Sequence, residues 1–79
     1  MDTQHLIQMA NQIGDFFEAY PNKTEAIDGI ANHIKKFWEP RMRMQLLESI
    51  EQGQTGDLSE LVLQPLTLHR QALLPANSH

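Results

Sequence analysis

A proline in mid-chain, within Phe37-Trp38-Glu39-Pro40-Arg41-Met42-Arg43, most restricts what this sequence can fold into. Proline lacks a backbone N–H and biases the residue before it toward extended conformations. Helix-like apolar spacing lies on both sides of it. One continuous helix is therefore excluded, and the chain must turn at Glu39. Pro40 suits the first position of a new helix, where its missing N–H costs nothing.

The segment before this corner reads as a helical hairpin. From about residue 3 to 20, Leu6, Ala10, Ile13, Phe17 and Tyr20 form one stripe, with Met9 and Phe16 on its flank. Gln8, Asn11, Gln12, Asp15 and Glu18 lie away from the stripe. Gly14 weakens the helix by about 1 kcal/mol relative to Ala, but its missing side chain could admit a close neighbour. Pro21 ends this helix. Asn22 then fits an N-cap, with Glu25 three residues on as in a capping box. The second helix, about 23–37, carries Ala26, Ile27, Ile30, Ala31, Ile34, Phe37 and Trp38 on a face wide enough for two neighbours. So short a connection sets the two helices antiparallel.

After the corner, a third helix spans about 40–52, with Met42, Leu46, Leu47 and Ile50 on its apolar face. Arg43 falls within that face, four residues after Glu39, a spacing at which the two could pair. Gly53-Gln54-Thr55-Gly56 reads as a flexible break. The leucine-rich segment beyond, about 59–73, is divided by Pro65 into a short turn near Ser59 to Leu63 and a helix from Pro65 to Leu73. Its leucines lie all round a helical wheel, so it needs burial on most sides. It either folds back over the hairpin or binds a partner. Residues 75–79 read as a frayed tail. The expected architecture is one all-α domain over 1–79, a small bundle of three helices plus a Pro-interrupted C-terminal helical segment.

Composition limits the functions open to such a chain. With 79 residues, its own core supplies no more than about 3–5 kcal/mol of net stability. Cys is absent, which removes disulfides, zinc–thiolate sites and iron–sulfur ligation from this chain. No signal peptide is visible and no apolar run approaches a membrane span, so a cytoplasmic location with no membrane contact is expected. The net charge of -4 makes the whole chain a poor match for nucleic acid. Yet Lys35, Lys36, Arg41 and Arg43 are four of the six basic residues, and Glu39 is the one acidic residue among them. The surface is thus polarised around a basic corner.

No enzymatic constellation emerges. No glycine-rich phosphate loop is present. The histidines at 5, 33, 69 and 79 contain no i, i+4 pair of the kind that builds a helical metal site. Asp15 with Glu18, and Glu48 with Glu51, are carboxylates at i, i+3, but they lie on polar helix faces. Neither catalytic, cofactor-binding nor metal residues are expected. Tryptophan and arginine side by side are what interface hot spots favour, and internal packing fits Trp38 equally well. A free-standing helical regulator that binds nucleic acid or another protein through the basic corner is one reading. A homodimer with buried tails is another.

Two linked motifs carry a family resemblance. Residues 9–21, MANQIGDFFEAYP, and residues 30–43, IANHIKKFWEPRMR, stand at matching spacing. Over about Leu6 to Ile50 the chain closely resembles the delta subunit of bacterial NAD-dependent, molybdenum-containing formate dehydrogenases. The resemblance implies a non-catalytic accessory chain that supports assembly, cofactor loading or stability of the complex. It places molybdopterin, iron–sulfur clusters, FMN and NAD in the larger subunits and none of them in this chain. Contact with those subunits is then expected at Lys35, Lys36, Trp38, Arg41 and Met42. Phe37, Glu39, Pro40 and Arg43 would shape the corner.

Overall fold

The computed structural model describes residues 2–74. The expected frayed tail, 75–79, lies outside the described residues. Five helices are found among those described: α1 (Thr3–Phe17), α2 (Lys23–Phe37), α3 (Pro40–Glu51), α4 (Glu60–Leu68) and α5 (Arg70–Leu73). The chain is all-α, as its apolar spacing requires. Capping sets most of the boundaries. Asp2 accepts a hydrogen bond from the Gln4 amide at the start of α1. Asn22 accepts one from the Glu25 amide at 3.1 Å. Pro40 stands at the first position of α3. Helix α1 stops at Phe17, short of the expected Tyr20, because Glu18 and Ala19 already turn toward Pro21.

Helices α1 and α2 form the antiparallel hairpin, and Phe17 at the end of α1 lies against Gly29. The opposite face of the hairpin is covered by α4. A Cβ placed on Gly14 would stand 2.5 Å from Cγ2 of Val62, so Val62 occupies the space a larger residue at 14 would fill. Val62, Leu66 and Leu73 are buried in one core with Leu6, Ile7, Ala10, Ile30, Ile34, Leu46 and Leu47. The C-terminal segment therefore packs on its own bundle. Burying one Val or Leu side chain contributes about 1.5–3 kcal/mol. Three such residues outweigh the roughly 3 kcal/mol cost of a proline inside a helix. Helix α4 accordingly runs through Pro65, which is itself fully buried. The break expected at Pro65 falls instead at His69. A hydrogen bond and an ion pair fix the two sides of that break: His69 Nε2 lies 3.0 Å from Asp28 Oδ1 on α2, and Arg70 pairs with Glu51 at the end of α3.

The expected flexible break at 53–56 is fastened by hydrogen bonds. Gly53 adopts φ +75° just past α3, its amide donates to Ile50 O, and the Gln54 amide donates to Ser49 O. This is the Schellman arrangement that satisfies the last carbonyls of a helix. The buried Ser49 hydroxyl adds a bond to Gln54 O at 2.6 Å. Asn11 then holds the far side of the loop. Its Nδ2 donates to Asp57 O at 3.0 Å, and its Oδ1 accepts from the Ser59 amide at 2.9 Å. Ser59 begins α4 without a side-chain cap of its own, so Asn11 positions that helix from outside it.

Two stability measurements check this account. Alanine at an unobstructed helical glycine adds about 1 kcal/mol, but overpacking a filled core costs about 1–3 kcal/mol. Gly14→Ala should therefore lower the melting temperature, and combining it with Val62→Ala should cost less than the two changes summed. Asn11→Ala removes two hydrogen bonds of about 0.5–1.5 kcal/mol each. It should destabilise by about 1–3 kcal/mol in urea and speed hydrogen exchange first at the start of α4.

Candidate functional site

The basic corner divides rather than converges. Lys35 lines a depression with Asp28, Asn32 and His69 on the α5 side. Arg41 and Met42 line another with Phe37, Glu39 and Gln45. Arg43 turns inward: its Nη1 donates to the Lys35 carbonyl at 2.7 Å. That carbonyl is among the last four of α2, which have no partner within the helix. The expected Glu39–Arg43 ion pair does not form; the two residues are joined by the ordinary helical bond from the Arg43 amide to Glu39 O. Arg43 Nε is buried with no hydrogen-bond partner. Lys36 is exposed on the outer side of α2, one turn past His33.

The expected roles of the two corner aromatics are reversed. Trp38 is only 6% exposed and belongs to the core, while Phe37 is 71% exposed. Backbone geometry causes the exchange. Helix α2 ends at Phe37, and Trp38 is extended at φ -90°, ψ 137°. Leaving helical geometry turns the indole back over the hairpin and leaves Phe37 pointing out. Met42 is also drawn in, packing part-buried against the core. The exposed ring of the corner is therefore Phe37, not Trp38.

The most apolar groove lies on the hairpin face opposite α4. Met9, Gln12, Ile13, Phe16 and Phe17 form its α1 wall. His33 forms the α2 wall, and one edge of Trp38 closes an end. Its volume is about 550 Å³. Phe16 is 67% exposed at its rim. Phe16 also meets Phe17 edge-on, with ring centroids 5.1 Å apart. The ring of His33 lies 4.8 Å from that of Phe37. The apolar surface thus continues from Phe16 across the groove to Phe37. The two aromatic groups, separate in the sequence, belong to one face.

Sequence periodicity put Phe16 on the flank of its stripe, and that flank is this face. The part of Trp38 was not readable, because wheel angles assume a helix that has already ended. Among the described residues, no group of three or more His, Asp or Glu could hold a metal ion. No helix there is long and apolar enough to cross a membrane.

No curated protein and no solved structure matches the chain. A family profile does: that of the NADH-dependant formate dehydrogenase delta subunit FdsD, over residues 5–66. The matched span takes in the hairpin, the Pro40 corner, α3 and most of α4, and so every element that builds the groove and its opposite face. Covering most of the 79 residues, the match shows that the chain belongs to the NADH-dependent formate dehydrogenase delta subunit family.

Proposed function

We propose that this chain is a non-catalytic accessory subunit that docks onto the larger subunits of a formate dehydrogenase through the α1–α2 groove. In this reading it supports assembly, cofactor loading or stability of the complex. The larger subunits carry the molybdopterin, iron–sulfur, FMN and NAD sites. The observation that carries the proposal is the pair of exposed rings, Phe16 at 67% and Phe37 at 71%, flanking an apolar groove. Contiguous apolar surface of this kind marks interaction sites. Aromatic residues in packed pockets are also the side chains that dominate interface energies. Family membership supplies the partner.

Arg41 and Lys36 lie beside Phe37 and would act at the rim, where charges steer association more than they add affinity. Lys35, on the α5 side, and Met42, partly in the core, contribute less. The basic side chains do not converge on one surface, which leaves the nucleic-acid reading without support.

Phe16→Asp with Phe37→Asp tests the assignment. Exposed substitutions change stability by no more than about 0.5 kcal/mol, so the double variant should melt close to the unsubstituted chain. Loss of an aromatic hot spot costs about 2 kcal/mol or more. Co-purification with the larger subunits should therefore fall at least about thirtyfold in affinity. A folded double variant that is retained like the unsubstituted chain would exclude the groove as the docking face.

A further inference from the structure

The charges around the groove identify what fits it, given the docking role proposed above. The chain has ten acidic and six basic residues, yet no carboxylate lines the groove. The hairpin's acidic residues face elsewhere. Asp15 and Glu18 line a depression with Ser59 and Glu60 on the α4 side. Asp28 pairs with His69 at α5. Glu25 stands two turns before His33, beyond the groove's lining. The groove's own polar groups are Gln12 and His33. Arg41 lies on the far side of Phe37, where Glu39 shares its depression and offsets its charge; the cation that this end offers is Lys36, one turn past His33 and exposed.

The walls are two helices, and the hairpin already receives a helix, α4, on its other face. Among the described residues there is no strand whose edge could pair with an extended peptide. Helix-in-groove recognition uses apolar anchors at i, i+3 or i+4, and i+7. We infer that the occupant is an amphipathic helix of a larger subunit, carrying a carboxylate beside its apolar face at the Lys36 end.

The assembled complex provides the test. With Phe16 replaced by p-benzoylphenylalanine, illumination should join this chain to a larger subunit. Carbodiimide should couple Lys36 directly to an Asp or Glu in the same subunit. The residues flanking that carboxylate should show apolar spacing of three and four. Lys36→Glu should weaken assembly about five- to tenfold at low salt and less at high salt, while Lys36→Arg should not. If the photoprobe captures a larger subunit but Lys36 couples to no carboxylate, or Lys36→Glu assembles normally, the acidic helix is overturned and docking at the groove stands. If the photoprobe captures no larger subunit, or only a second copy of this chain, the docking assignment fails as well.

Discussion

The contact between Gly14 and Val62 is the constraint from which the rest of the architecture follows. At position 14 any side chain would meet Val62 Cγ2. The absence of one brings α4 close against the hairpin. With α4 in place, Val62 and Leu66 join residues of α1, α2 and α3 in a single core. A chain this small buries only about 60% of the surface it exposes when unfolded. It therefore needs the C-terminal segment as a covering layer. The interactions around that layer place it rather than drive its burial. Asn11 fixes its start, and His69 and Arg70 fix its end against α2 and α3. A partly exposed hydrogen bond and a partly exposed ion pair contribute little energy, but on neighbouring residues they hold the α4–α5 break at one angle.

The second organising feature is the end of α2. Pro40 biases Glu39 toward extended backbone, and Glu39 is extended at ψ 151°. Trp38 is extended as well. Two extended residues turn the chain from α2 into α3 and bring the indole into the core. Arg43, one turn into α3, then reaches back to the Lys35 carbonyl. The corner that seemed basic and outward-facing in the sequence is thus partly consumed in building itself. Its tryptophan and one arginine belong to the fold. Its phenylalanine, Lys36 and Arg41 remain at the surface.

What the sequence revealed and what it concealed divide along the range of the interactions. The three helices, the Asn22 cap and the Pro40 start depend on neighbours within one or two turns, and they are legible; the gap at Gly14 is legible too, but not Val62, which fills it. The run of α4 through Pro65 is not legible. Local propensity argues against it, and only burial of Val62, Leu66 and Leu73 from distant elements overrides that preference. Asn11 looked like an ordinary polar-face residue because its partners, Asp57 and Ser59, lie more than forty positions away. The candidate site was half legible. The flank position of Phe16 is readable from its spacing, but not its place at the rim of the groove. Which ring of Phe37 and Trp38 points outward depends on where helical geometry stops, and at such a boundary a displacement of one residue exchanges inside for outside.

The distribution of charge makes the exposed groove more than a leftover of small size. A short chain leaves some apolar surface uncovered whatever its function, and scattered exposed side chains need no explanation. Here the exposed rings share one face with a groove, and the hairpin's acidic residues Asp15, Glu18 and Asp28 lie on the sides where α4 and α5 pack. Solubility alone would favour the opposite placement, with charge interspersed around the apolar rings. In the proposed docking, a face apolar at its centre and free of carboxylates along its walls, with Lys36 at one end and Arg41 there offset by Glu39, carries directional information. Apolar burial can hold a partner there, while the cationic end favours one orientation of an acidic helix over its reverse. In the proposed docking, Phe16 and Phe37 supply the energy and Lys36 the orientation.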